Sequence, residues 1–291
     1  MDTAVLLCVT SLQIGAVYIL FSLGLTLIFG VMRIVNFAYG NIFALAAIVV
    51  AIVLPVMTGA GVPVLLSYVV AVIGGIAAAL LLSYLTYAFG YRYFQRDMIG
   101  SFIFSIGLVL LLDGLYIEVF SGAVRSVPEI VHGTVDILGA PITAQHLLLG
   151  ISAIIVTFML FWALTFTRLG KALRAVSADH EAAMLQGVRY NRIALFGFMI
   201  ASGLAALAGA LIAPVTIVSP MIGSDYIIKG FIAVIIGGLG SVIGAIMGGL
   251  FVAVIETAGG YFLDPSTASI AIFCLAILVL LVRPAGLFGR E

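Results

Sequence analysis

Eight apolar runs, near residues 4–29, 36–54, 64–89, 98–120, 146–166, 193–213, 227–257 and 268–282, take up most of this 291-residue chain. A bilayer core about 30 Å thick needs roughly 20 apolar residues of helix, and all the runs but the 15-residue 268–282 reach or approach that length. Only 8% of the residues are charged and 64% are hydrophobic, whereas soluble domains carry about 25% charged residues. A water-soluble enzyme is excluded. The expected fold is an all-α polytopic membrane protein with about eight transmembrane helices, forming a single transmembrane domain over residues 1–291 with almost nothing left for an extramembrane domain. Twelve basic and twelve acidic residues cancel, so no global charge recruits nucleic acid, and only the placement of charges carries information.

Periodicity does not help within the runs, because a helix surrounded by lipid and other helices is apolar on every side. Punctuation decides. The run 227–257 is 31 residues long and its middle reads Gly237-Gly238-Leu239-Gly240-Ser241, which weakens a continuous helix. It is expected to be a glycine-broken re-entrant segment or a hairpin of two short helices. Lys and Arg favour cytoplasmic loops, and the segment 168–192 holds Arg168, Lys171, Arg174, Arg189 and Arg192. Setting that segment inside also puts Arg33, Arg92 and Arg96 inside, with the N-terminus and residues 121–145 outside. With the broken hairpin the C-terminus is inside, and ten of the twelve basic residues become cytoplasmic, against eight if 227–257 crosses once. Arg125 and Lys229 remain outside, while Asp2, Glu118, Glu129, Asp136, Asp225 and Asp264 fall on or near the outer face.

No Lys or Arg precedes Arg33, so the first run lacks the basic region of a cleaved signal and is expected to persist as a helix with a mature N-terminus. Cys8 and Cys274 lie in apolar runs at opposite ends of the sequence, which suits packing and offers no disulfide framework. The outer loop 121–145 contains Pro128, Pro141 and several β-branched residues, consistent with a plain connection, a short helix or hairpin, or a docking surface for an extracytoplasmic partner.

The most informative stretch runs from Leu169 to Val188. Ser177 or Asp179 can cap a short helix with Glu181 in its first turn, and Gly187 can end it. Ala182 and Ala183 are small enough for close approach by another protein, and Met184 and Leu185 offer apolar anchors for a groove. The same pattern also describes a solvated connector. Glu181-Ala182-Ala183, three residues and Gly187 resemble the opening of the EAA motif of ABC-importer permeases. Three further stretches, Gly24 to Gly40, Gly237 to Ser241 and Arg283 to Gly289, resemble the permease family of branched-chain amino acid ABC importers, specifically its LivH-type subunit, and the resemblance covers essentially the whole chain. It implies a bacterial inner-membrane subunit that couples to ATPases through Asp179, His180, Glu181, Ala182, Ala183, Met184 and Gly187. It also implies a second, LivM-like permease, two cytoplasmic ATPases carrying ATP and Mg, and an extracytoplasmic solute-binding protein. The chain contains no G-x-x-x-x-G-K-[ST] phosphate loop, so it is expected to bind no cofactor and to be no enzyme itself.

Small residues recur every four positions at Ala201, Ala205, Gly209 and Ala213, and again at Gly240, Gly244 and Gly248. Such stripes let helices pack closely in a bilayer, or slide during gating; Gly237 and Gly238 join the second set. Polar residues stranded in apolar runs, Gln13, Asn36, Asp113 and Glu256, either face a path or make interhelical hydrogen bonds. Asn36 and Tyr39, with Gly40, start a span at which a helix N-terminus could present free N–H groups to a carboxylate. The histidines, His132, His146 and His180, are far apart and sit in or beside loops, so no metal site is expected. An ion-coupled secondary transporter and a membrane scaffold are the competing functional classes. So little charge suits a neutral or zwitterionic solute, meaning branched-chain or other hydrophobic amino acids, or alternatively amides, urea or small aromatic acids.

Overall fold

The structure is a computed structural model and describes residues 2–289 except 129, 132, 138 and 139. The expectations for Glu129, His132 and Arg290 therefore lie outside the described residues. Among the described residues eleven α-helices follow one another: α1 (Asp2–Met32), α2 (Tyr39–Gly59), α3 (Val64–Phe89), α4 (Met98–Phe120), α5 (Ala144–Phe166), α6 (Arg168–Ala178), α7 (His180–Leu185), α8 (Tyr190–Ile212), α9 (Ile222–Gly237), α10 (Val242–Phe262) and α11 (Pro265–Val282). Among the described residues, eight of them (α1, α2, α3, α4, α5, α8, α10 and α11) are long and apolar enough to cross a membrane. The chain is a multi-pass, all-α membrane protein. Between α4 and α5, β1 (Thr134–Ile137) and β2 (Ala140–Thr143) form an antiparallel ribbon with Thr134 opposite Thr143, which is the hairpin among the alternatives for 121–145.

Each turn end has a local cause. Arg33 adopts a positive φ of 52°, which takes the chain out of α1, and Met32 O then accepts from Arg96 N at 3.1 Å. Asp97 caps α4 by accepting from Gly100 N at 2.9 Å, and Asp264 caps α11 by accepting from Ser266 N and Thr267 N, both at 2.9 Å. Such side-chain acceptors satisfy donors that the first helical turn leaves free.

The ends of the bundle can be told apart by contacts. The Met32–Arg96 bond joins the end of α1 to the α3–α4 connection. A Cβ added to Gly30 would meet Ser177 Oγ at 2.9 Å and Gly240 Cα at 4.0 Å, which brings the α6–α7 segment and the α9–α10 turn to the same end. The tail after α11 also reaches it, with Leu287 N donating to Ile236 O at 2.8 Å and Phe288 N to Gly237 O at 3.0 Å. That end carries Arg33, Arg92, Arg96, Arg168, Lys171, Arg174, Arg189, Arg192 and Arg283. At the opposite end Arg125 pairs with Val218 through two backbone bonds, 2.8 and 2.9 Å long, joining the 121–145 loop to the α8–α9 connection. Lys229, which the charge count sets outside, is instead inside α9 with its Nζ 2.5 Å from Glu256 Oε1; an opposite charge on the next helix draws it in.

The glycine break falls at Gly238–Ser241, with Gly238 at φ 105° and Gly240 at φ 86°, a backbone that only glycine adopts without cost. The two halves are unequal. α10 is a full 21 residues, while α9 has 16 residues and is about 24 Å long, short of the bilayer core. α9 and α10 pack backbone to backbone: a Cβ on Gly244 would lie 2.2 Å from Gly237 O, and one on Gly248 would lie 2.0 Å from Ala233 O.

Candidate solute path and coupling surface

The segment 33–38 turns back into the bundle instead of running along its end. Tyr39, the first residue of α2, donates its hydroxyl to Ala201 O at 2.8 Å, and Ala201 is midway along α8. Gly24 on α1 makes room for that ring, because a Cβ there would lie 1.7 Å from the Tyr39 oxygen. The start of α2 then crosses the start of α9, where a Cβ on Gly40 would fall 2.4 Å from Gly223 O and one on Gly223 would fall 2.0 Å from Gly40 O. Two helix N-termini thus meet at about the mid-depth of α8.

A cavity of about 260 Å³ lies beside this crossing. Phe37, Gly40 and Asn41 of the first arm line it with Gly223, Ser224, Ile227 and Ile228 of α9 and Ile106, Val109 and Leu110 of α4. Its wall is almost wholly apolar. The polar exceptions are Ser224 and Asn41, whose Nδ2 donates to Asp113 Oδ1 at 2.6 Å while its backbone carbonyl accepts from the Tyr116 hydroxyl at 3.0 Å. Phe37 is braced by Phe102 and Phe231, each 5.6 Å away between ring centres. An apolar cavity with a few convergent polar groups is the usual form of a small-molecule site.

The four path candidates separate in space. Gly40 lines the cavity. Tyr39 does not: it is fully buried, lies 4.7 Å from the ring of Phe21 and anchors α2 to α8. Asn36 accepts from the Tyr91 hydroxyl at 2.5 Å, and its Nδ2 has no partner among the described residues. Gln13 is elsewhere, with its Cγ 3.8 Å from the position a Cβ on Gly150 would take, facing α5. The expectation of free N–H groups at this helix start is corrected. Gly40 N bonds to Phe37 O, and Asn41 N and Ile42 N bond to Ala38 O, at 3.0–3.3 Å, because the preceding turn wraps over the first helical donors. Asn41, Gly223 and Ser224 were not among the candidates; they become visible only when α9 is folded against α2.

At the arginine-rich end, Thr167 caps α6 by accepting from Gly170 N at 3.0 Å, and the buried Leu173 and Val176 seat one face of α6 on the bundle. Asp179, and not Ser177, caps α7: its Oδ1 accepts from Glu181 N at 2.9 Å and Ala182 N at 3.1 Å. These bonds, the one from Ala182 first, hold the Asp179 carboxyl below the usual carboxylate range. A lowered value means that the cap is in place at neutral pH and is lost only as the pH falls through it. Gly187 ends the turn at φ 84°. His180 rests edge-on to Tyr190 at 6.1 Å and lies 3.9 Å from Glu181. Ala182, Met184 and Leu185 are exposed, Leu185 at 87%, but Ala183 is only 5% exposed. Ala183 is therefore corrected from a contact residue to an inward anchor, since a six-residue helix cannot stand without packing one side on the bundle.

The sequence matches the family described as "Branched-chain amino acid transport system / permease component" over residues 7–282. The chain belongs to this family. It is similar to the high-affinity branched-chain amino acid transport system permease protein BraD of Pseudomonas aeruginosa, at 30% identity over 97% of this chain and 94% of that protein. It is also similar to the permease protein LivH of Salmonella typhimurium, at 29% identity over 95% of this chain and 92% of that one. A shorter similarity, 35% identity over 35% of this chain and 30% of the other, reaches the fructose import permease protein FrcC of Rhizobium meliloti. No solved structure matches the chain. Membership makes the protein a permease component of a transport system, which implies partner subunits, and such permeases are not themselves enzymes.

Proposed function

We propose that this permease is the LivH-type subunit of an ATP-driven importer and that its solute is a branched-chain or other apolar amino acid. The supporting observation is the near full-length similarity to BraD and LivH. The apolar cavity at the α2–α9 crossing agrees with it, because an aliphatic side chain gains about 25 cal/mol for each Å² taken out of water. Asn41, Ser224 and the neighbouring Asp113 supply the few polar groups near that wall. In this reading a second LivM-like permease completes the path, two cytoplasmic ATPases bind ATP and Mg, and an extracytoplasmic solute-binding protein delivers the solute. The arginine-rich end faces the cytoplasm and the β1–β2 ribbon faces outward, as the bias of Lys and Arg requires.

The test is uptake by the complete complex in vesicles, comparing labelled leucine, isoleucine and valine with urea, an aliphatic amide and benzoate. Saturable, ATP-dependent uptake of the amino acids is expected, and preference for any of the others would overturn the solute assignment. Orientation has its own measurement. In a chain with Cys8 and Cys274 replaced by serine, an impermeant thiol reagent applied outside should label Ala123→Cys and spare Ser177→Cys. Equal labelling of both would reverse the assignment of the ends.

A further inference from the structure

One carboxylate ties three helices together inside the bundle. Glu256 of α10 accepts from the Tyr18 hydroxyl of α1 at 2.5 Å through Oε2, and Lys229 Nζ of α9 lies 2.5 Å from its Oε1. Tyr18 is 2% exposed, and the Lys229 and Glu256 side chains are 22% and 23% exposed. Tyr226, three residues before Lys229, extends the cluster, with its ring 5.7 Å from Tyr18 and 4.5 Å from Phe43 of α2. Ion pairs in a bilayer are costly, and an apolar pair of the same volume usually stabilises a fold at least as well. Stability alone does not account for this one.

Two features bear on how the N-terminal half of α9 is held. First, α9 is too short to span, so its hydrophobic length does not set its height in the membrane. Second, its contact with α10 is smooth: Gly237 lies on Gly244 and Ala233 on Gly248. The turn Gly238–Ser241 and the bonds of Leu287 N to Ile236 O and Phe288 N to Gly237 O fix the C-terminal end of α9, while Gly223, Ser224 and Ile227 lie nine or more residues from that anchor. That half meets α1 and α2 through Gly223 on Gly40, Gly230 under Phe21 and the ring of Tyr226 beside Tyr18 and Phe43. Glu256 is the one charged residue in the sequence of α10, so it is the one ionic partner that helix offers Lys229.

We propose that the Lys229–Glu256 pair, with Tyr18 orienting the carboxylate, is the anchor that pins the N-terminal half of α9 against α10 and α1 and so holds Gly223, Ser224 and Ile227 at the cavity wall. These are positioning residues. The consequence for transport rests on the proposed function, but the consequence for the position of α9 does not. The experiment measures thiol labelling of Ser224→Cys in membranes, in a background with Cys8 and Cys274 replaced by serine, alongside thermal stability. Glu256→Gln and Lys229→Met are expected to change the labelling rate at least fivefold. The exchanged pair Lys229→Glu with Glu256→Lys should restore it. The doubly apolar pair Lys229→Met with Glu256→Met should recover stability but not labelling, which separates positioning from mere stabilisation. Native labelling in the doubly apolar variant, or failure of the exchanged pair to restore it, overturns the proposal. Uptake assays on the same variants form a separate arm: if the unaltered protein transports no amino acid, the proposed function fails while the labelling result stands.

Discussion

Ala182→Arg should abolish substrate-stimulated ATP hydrolysis by the reconstituted complex and strip the ATPases from the permease during co-purification, while leaving the permease itself folded. Ala182 is exposed at the arginine-rich end, and substitutions at such positions usually change stability by about half a kcal/mol or less. In a partner's groove the same side chain would clash and strand a desolvated charge, which costs several kcal/mol when unpaired. About 3 kcal/mol corresponds to association weakened on the order of a hundredfold. Ala183 is the wrong position for this experiment, because at 5% exposure an arginine there would damage the fold before it met a partner. Wild-type hydrolysis and co-purification in Ala182→Arg would show α7 to be a solvated connector.

Gly244→Leu is expected to leave membrane insertion intact and to destroy the assembled permease. Insertion responds to hydrophobicity, which leucine increases. Packing responds to the 2.2 Å that separates a Cβ at Gly244 from the carbonyl oxygen of Gly237. Since that neighbour is backbone, no side chain can rotate away, and α10 has to leave α9. Overpacking of a fitted interior typically costs about 1–3 kcal/mol, and a backbone clash between two helices belongs at or above the upper end. Gly260 on the same helix is the control, because a Cβ there meets nothing within 4 Å. Gly260→Leu should insert, assemble and transport normally. If Gly244→Leu also transports at the wild-type rate, the backbone contact between α9 and α10 is not what holds them.

The segments that sequence reading described well are those whose cause is local. The α7 cap is one, since an aspartate followed by Glu181 and closed by Gly187 specifies a short helix wherever it lies. The glycine break is another, because Gly238 and Gly240 hold backbone angles that other residues avoid. Burial at the protein surface was less legible. Ala182 and Ala183 are identical residues in adjacent positions, and only the packing of α7 on the bundle turns one inward. The cavity is harder still, because its wall is built from residues as far apart as Gly40 and Gly223.

The sequence alone determined that the chain is a polytopic helical membrane protein, which end of it carries the arginines, and where the seventh apolar run must break. Hydrophobic length, charge bias and glycine conformations are properties of contiguous residues, so they survive without knowledge of the fold. The tertiary structure decided that α2 and α9 both begin at mid-depth and cross at Gly40 and Gly223. It also brought Lys229 to Glu256, 27 residues away, where charge counting had set the lysine outside. In an apolar chain every helix face looks alike, so which faces meet depends on shape and on a few paired polar groups, and both come into being only when the helices pack.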